Sequence, residues 1–157
     1  MESFEEEEEI FLVLEYVNGC ELGELIREKH PLSQELCWDI FYQLVETVSY
    51  CHAHGIIHRD LKPSNILLTS KQSSDQISEK FDIKLIDWGI ARFYDEQKDG
   101  KLVDTCGTLS FQAPEVTKKN YDTRSQVWSL GIILYFMLTG LHPYEQFQDP
   151  ELLFKAV

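Results

Sequence analysis

The chain has 157 residues, 43% of them apolar and 12% aromatic, enough to fill the core of one folding unit and too apolar for wholesale disorder. Fourteen Lys and Arg stand against 27 Asp and Glu, a formal charge of −13, which leaves few cations for the basic face that a nucleic acid or an anionic membrane would require. Glu2 and the run Glu5 to Glu9 hold six of those carboxylates, so the remaining chain carries −7, and segment 1–9 reads as a solvated, self-repelling lead-in.

Ile10 to Val17 (IFLVLEYV) is an apolar, β-branched and aromatic run that stops at Asn18-Gly19, which predicts a mostly buried strand entering a turn. Glu21 to Lys29 predicts a short helix stopped by His30-Pro31. A longer helix follows, with Ser33 as N-cap and Glu35 in its first turn. Leu36, Ile40, Leu44 and Val48 recur at helical spacing, as do Phe41 and Val45, and His54-Gly55 supplies the stop. Ile56-Ile57 and Ile66 to Leu68 predict short strands on either side of the polar segment HRDLKPSN, and 70–80 (SKQSSDQISEK) predicts an exposed loop. Phe81 to Ile86 alternates apolar with polar residues, the pattern of a half-buried strand, and delivers Asp87 at its end. Gly89 to Asp122 has no clean period and predicts a long functional loop. Thr123 to Thr139 predicts a helix apolar on nearly every face and central to the core. Its most apolar stretch, Val127 to Leu138, is interrupted by Ser129 and Gly131 and is too short to span a bilayer.

Four cysteines, Cys20, Cys37, Cys51 and Cys106, lie 17, 14 and 55 residues apart with no CxxC pair. That spacing predicts free thiols in a reducing compartment. The acidic N-terminus lacks the basic character of a signal or transit peptide, so the expected location is cytoplasmic, with the nucleus also open.

The chemistry concentrates in His58-Arg59-Asp60-Leu61-Lys62-Pro63-Ser64-Asn65. A carboxylate, an ammonium and a carboxamide stand there within six positions, and Asp87 arrives later at a strand end. Asn65 and Asp87 offer hard oxygen donors suited to Mg²⁺, Lys62 can balance phosphate charge, and Asp60 is left to accept a proton from a hydroxyl.

These residues resemble the protein kinase family. HRDLKPSN resembles its catalytic loop, Asp87-Trp88-Gly89 its metal-binding triplet with Trp in place of Phe, and Ala113-Pro114-Glu115 its segment-ending triplet, all in the family's order. The resemblance implies an α+β, protein-kinase-like fold: a mainly helical large lobe with short β-hairpins at the active-site cleft. It implies ATP and Mg²⁺ as cofactors and transfer of the γ-phosphate to Ser or Thr hydroxyls of protein substrates. Asp60 would deprotonate the hydroxyl, Lys62 would meet the transferring phosphate, and Asn65 and Asp87 would hold Mg²⁺. Arg59 would sit beside the activation segment, with Thr108 next to Asp60.

LVLEYVNGCEL resembles the fifth strand, the hinge and the start of the next helix. Leu14 would then be the gatekeeper, Glu15 and Val17 would offer backbone groups to adenine, Glu21 would bind ribose, and Leu67 would floor the adenine site. No glycine-rich loop and no lysine precede this hinge. The expected organisation is therefore an acidic segment 1–9 followed by a partial kinase domain over 10–157, with strand and hinge at 10–19 and large lobe from 20, as a fragment of a longer kinase. Two positions depart from the family pattern. Gln126 stands where an acid usually anchors the catalytic loop's amides. Asp104 stands where many members place an activating phosphothreonine, so it would pair with Arg59, and Thr105 is the alternative phosphosite. Glu115 belongs to the segment-ending triplet.

Other readings explain fewer residues. His52, His54 and His58 form HxHxxxH, the pattern of a zinc site, although a capping or proton-linked role fits His52 and His54 at a helix end and a packing role fits His58; a metal-dependent hydrolase would use His52, His54, Asp60 and Asp87. Trp88 reads as packing beneath the site and Met137 as core, and Cys106 has no evident neighbour to activate its thiol. A pseudokinase-like scaffold, keeping the fold without phosphoryl transfer, is the main functional alternative. The retained set of Asp60, Lys62, Asn65 and Asp87 favours the enzyme.

Overall fold

The glutamate-rich start pairs with the apolar run that follows it. In the computed structural model, which describes residues 2–6, 9–70, 80–147 and 149–156, β1 (Glu2–Glu6) runs antiparallel to β2 (Glu9–Val13), with Phe4 opposite Phe11 and their rings stacked 5.0 Å apart. Every residue of both strands is exposed. The carboxylates of Glu2, Glu5, Glu6 and Glu9 are thus solvated as expected, but on strands instead of a free lead-in, while Glu7 and Glu8 lie outside the described residues. The predicted strand over 10–17 ends at Val13 and is not buried. A two-stranded ribbon has no second layer to cover it among the described residues, and Leu14 to Asn18 continue without regular structure.

Gly19 crosses so close to the sheet that a Cβ there would lie 1.9 Å from the Leu68 carbonyl oxygen. That contact excludes any side chain and leads directly into β3 (Cys20–Glu21) and α1 (Leu22–Lys29). Glu24 of α1 reaches back to accept from the Glu21 N–H at 3.2 Å, starting the helix, while Leu22, Leu25 and Ile26 face the core. Ser33 caps α2 (Gln34–Ala53) through Leu36 N–H at 3.2 Å, and Gly55, at φ +67°, turns the chain out of it.

Short strands flank the polar segment 58–65 and lead to Asp87. β4 (Ile56–Ile57) pairs with β7 (Arg92–Phe93), and β5 (Ile66–Ser70) lies between β3 and β6 (Phe81–Leu85), all antiparallel. Of the loop predicted over 70–80, residues 71–79 lie outside the described residues. The long region 89–122 is not featureless: besides β7 it holds α3 (Glu96–Asp99), a 3-10 turn at Leu109–Phe111 and α4 (Pro114–Thr117). Pieces of two to four residues are too short to print a period in the sequence.

α5 (Ser125–Thr139) follows, and α6 (Pro150–Ala156), which the sequence did not announce, ends the description. α5 buries Leu130, Ile132, Ile133 and Met137 but leaves Val127, Tyr135 and Leu138 exposed. It is central on one face only, because no described element packs on the other. No helix among the described residues is long and apolar enough to cross a membrane.

The core has two parts. The larger joins α1, α2, β5 and α5 through Leu22, Ile26, Ile40, Leu44, Leu61, Ile66 and Ile133. The smaller gathers Ile57, Tyr94, Leu102, Ala113, Val116 and Tyr121, with Trp128 against it. Leu102 and Tyr121 exchange backbone hydrogen bonds at 2.8 and 3.2 Å, closing segment 102–121 into a loop.

Buried Asp122 fastens that loop, accepting from Lys101 Nζ and from Arg124 N–H, Nε and Nη2. The Arg124 bonds, with those of Lys101, outweigh burial and hold its carboxyl well below the usual range. A depressed folded-state pKa stabilises above the unfolded value, about 3.9, and that contribution is lost as pH falls. Asp122→Asn should therefore destabilise the protein by about 1–3 kcal/mol at pH 7, with a gap to wild type that narrows at pH 3. Urea unfolding at both pH values checks this, and equal gaps would contradict it.

Candidate active site

The segment 58–61 is tied down at both ends. Ile57 belongs to the smaller core and Leu61 to the larger, so the catalytic-loop residues span the gap between them. His58 is buried and uses both ring nitrogens: Nε2 donates to the Ile86 carbonyl at 2.9 Å, and Nδ1 accepts from Asp60 N–H at 3.3 Å. Burial, opposed by the Ile86 bond, lowers its pKa, which keeps the neutral tautomer that this pattern requires. Trp88 lies edge-on to the His58 ring at 4.6 Å but is otherwise exposed, so it is less packed than the sequence predicts. Arg59 and Asp87 are two of only three non-glycine residues with positive φ among the described residues, at +69° and +59°. Such backbone is costly and persists only where its surroundings enforce it.

Asp60 is the meeting point. Its Oδ1 accepts from Thr108 N–H at 2.9 Å and from Thr108 Oγ1 at 2.8 Å. Its Oδ2 accepts from Asn65 Nδ2 at 3.2 Å and lies 2.8 Å from Lys62 Nζ. Lys62 also donates to Thr108 Oγ1 at 3.1 Å, and Asn65 Nδ2 to the Asp60 carbonyl at 2.9 Å. Burial alone would push the Asp60 carboxyl up. The Lys62 ammonium and the Thr108 hydroxyl outweigh it and hold the pKa below the ordinary Asp range. The group is therefore a carboxylate at neutral pH, four donors around it.

Asn65 and the residue before Asp87 are joined through the backbone. The Asn65 carbonyl accepts from Ile86 N–H at 2.9 Å, so the turn at Pro63–Asn65 is stitched to the residue just before Asp87. Asp87 is exposed, and its Oδ1 accepts only weakly from Gly89 N–H at 3.4 Å. One exposed carboxylate and one carboxamide, next to a lysine, match the sparse protein ligation that Mg²⁺ takes when substrate phosphates complete its shell.

The hinge residues are only partly gathered. Glu21, Leu67 and Lys84 lie in one row across β3, β5 and β6, and Glu15 pairs with Lys84 at 2.8 Å. Leu14 is exposed and Val17 half-buried.

The activation segment closes over the site's other side. Arg59 donates through Nε to the Ile90 carbonyl at 2.6 Å and through Nη1 to Asp104. Tyr121 donates to Asp104 at 3.4 Å, and Arg92 stands 4.0 Å from it. Burial pushes the Asp104 carboxyl up, but the Arg59 bond wins and holds it below the usual range. Burial raises the Tyr121 phenol to about 12. Gly107, at φ +93°, lies against Arg59, where a Cβ would stand 2.3 Å from the Arg59 carbonyl oxygen. Thr105 is exposed, and Glu115 sits half-buried in the first turn of α4.

Gln126 occupies the floor. Its Oε1 accepts from His58 N–H at 3.3 Å and meets His52 Nε2 at 2.8 Å. Sequence reasoning missed Gln112, which is buried and donates to the Cys106 and Gly107 carbonyls at 2.9 Å. The only signal was an amide set between Phe111 and Ala113, where a buried polar residue needs partners. The histidines do not converge: His52 turns to Gln126, His54 bonds the Tyr50 carbonyl, and His58 bonds Ile86. Among the described residues no group of three metal-ligating side chains is present, which counts against the zinc and hydrolase readings.

The chain is 42% identical over 151 residues to CBL-interacting protein kinase 21 of Oryza sativa subsp. japonica, covering 94% of this chain and 27% of the relative. It is 43% identical over 139 residues to CBL-interacting protein kinase 17 of the same plant, covering 87% and 29%. To CBL-interacting serine/threonine-protein kinase 20 of Arabidopsis thaliana it is 39% identical over 140 residues, covering 87% and 30%. It thus spans under a third of the length of these relatives. The model of the protein kinase domain family matches residues 1–156. With that match over nearly the whole chain, and with relatives about 40% identical along most of it, the chain belongs to the protein kinase domain family.

Proposed function

We propose that this chain carries the catalytic centre of a serine/threonine protein kinase that transfers the γ-phosphate of ATP to protein hydroxyls with Mg²⁺. The observation that carries the reading is the Asp60 carboxylate, ionised and bonded by Lys62, Asn65 and Thr108. A carboxylate in that state can align a substrate Ser or Thr hydroxyl and take its proton as the oxygen attacks. Lys62, 2.8 Å from Asp60, can shift its ammonium to the transferring phosphate and offset its charge. Asn65 and Asp87 would hold Mg²⁺, whose charge, when bound, neutralises the phosphate oxygens. Glu21 and Leu67, side by side on adjacent strands, would meet ribose and adenine, with Leu14, Glu15 and Val17 along the hinge. Positioning supplies most of the rate in this chemistry, and the hydrogen bonds joining the Asp60 loop to Ile86 are what would keep the two metal-side residues in register. A scaffold role would not call on an ionised Asp60 together with an exposed Asp87, so phosphoryl transfer is the stronger reading.

The Arg59–Asp104 ion pair supports a second element of the proposal. A fixed carboxylate at Asp104 holds the activation segment on Arg59 and gives partial independence from phosphorylation. Thr105, exposed beside the same arginines, is the alternative acceptor.

Two outcomes are expected. Asp60→Asn should leave Mg·ATP binding intact while lowering phosphoryl transfer to a Ser/Thr peptide by roughly 10²–10⁴-fold. Asp87→Asn should weaken nucleotide binding only when Mg²⁺ is present, read by calorimetry with and without chelator. Activity that survives Asp60→Asn would reject the mechanism. For the segment, Asp104→Asn should lower the transfer rate several-fold, roughly the worth of one charged contact, and an unchanged rate would sink the idea of a fixed-charge latch.

A further inference from the structure

Two buried glutamines line one small cavity beneath the catalytic loop. The cavity measures about 20 Å³, room for a single water and little more. Gln112 and Gln126 both border it and are 7% and 3% exposed. Their neighbours settle which way each amide points. Gln112 meets two carbonyl oxygens, those of Cys106 and Gly107, and only its NH₂ end can donate to both, so its Oε1 is the end left over. Gln126 meets the His58 backbone N–H, which needs an acceptor, so its NH₂ end is the one left over and His52 must donate through Nε2. These two atoms, Gln112 Oε1 and Gln126 Nε2, have no hydrogen-bond partner among the described residues. One is an acceptor and one a donor, on the same cavity, and leaving both unpaired in the interior is costly.

We propose that the cavity is a structural water site, in which one water accepts from Gln126 Nε2 and donates to Gln112 Oε1. The chemistry of the walls selects water. Both amides are neutral, and the charged groups nearby, Arg59 and Asp60, are already paired with Asp104 and Lys62. Ser125 and Ser129 also border the cavity. Their hydroxyls donate elsewhere, at 2.8 Å to the Asp122 and Phe111 carbonyls, and so keep lone pairs for the water's second hydrogen. The water completes a circuit around Asp60. On one side His58 N–H is held by Gln126 while His58 Nδ1 holds Asp60 N–H. On the other, Gln112 holds the Gly107 carbonyl, and the next residue, Thr108, bonds the Asp60 carboxylate. Gln112 and Gln126 are then positioning residues that couple activation segment to catalytic loop through one solvent molecule. That coupling role rests on the kinase reading, whereas the water site itself does not.

The test uses the whole chain. A crystal structure should show one density peak within hydrogen-bond reach of both amides, and NMR should show the Gln126 side-chain NH₂ cross-relaxing with water with the signs of a long-resident molecule. Cavity density that is blank or reaches only one amide, or a Gln126 amide silent to water, overturns the site; neither measurement needs a variant or any activity. Gln112→Met should abolish the water cross-peak and speed amide exchange at His58, on the far side of the cavity, by roughly three- to tenfold, the worth of one net hydrogen bond. Unchanged exchange at His58 would overturn the coupling even if the water is seen. Loss of phosphoryl transfer in the unsubstituted chain, by contrast, would strike the kinase reading and leave the water site standing.

Discussion

The Asp60 carboxylate is shared between two parts of the chain that are 48 residues apart in sequence. Thr108, from the activation segment, gives it a backbone and a side-chain hydrogen bond, while Lys62 and Asn65, from its own loop, hold the other oxygen. A buried carboxylate with fewer donors would drift toward protonation. Its lowered pKa therefore rests on Lys62 first and on the activation segment's Thr108 beside it, and the segment in turn is held by the carboxylate. Each side fixes the other. The Arg59–Asp104 pair repeats the arrangement one residue away, so two adjacent residues of the catalytic loop, one cationic and one anionic, each grip the same segment.

That mutual grip requires a rigid base, and the two cores provide it. Ile57 and Leu61 anchor the loop in different clusters, and Arg59 between them is driven to φ +69°. The strain is local and is held by contacts on both flanks: the Arg59 side chain reaches the Ile90 carbonyl, and Gly107 alone can pass beside the Arg59 carbonyl. Leu102 pairing with Tyr121, and Asp122 with its two cations, then fix the ends of the segment that supplies Thr108.

Much of this was legible in the sequence, for identifiable reasons. α2 announced itself through Ser33 and a clean apolar stripe, and β6 through its alternation ending in Asp87. The proposed catalytic residues stood out because an ammonium, a carboxamide and two carboxylates at those spacings have few other uses. What was not legible depends on partners distant in sequence. The run 10–17 has the composition of a buried strand, and only the structure reveals a ribbon with neither face covered among the described residues. The apolar α5 reads as wholly internal, yet Val127 and Tyr135 are exposed. Gln112 carries no motif at all, since its importance lies in which carbonyls happen to pass it. Tyr121 and Asp122 likewise act by closing a loop whose other end, at Lys101 and Leu102, no local pattern connects to them.

The central claim is that Thr108 of the activation segment joins Lys62 in holding the Asp60 carboxyl below its ordinary pKa. It is tested most directly by a carbon-13 titration of the Asp60 carboxyl in the intact chain and in Thr108→Val. The account predicts a wild-type pKa below the ordinary value of about 3.9 and a clear upward movement in Thr108→Val, where the hydroxyl is lost and burial is left less opposed. Titration at or above the ordinary value, or the same pKa in both proteins, would contradict it.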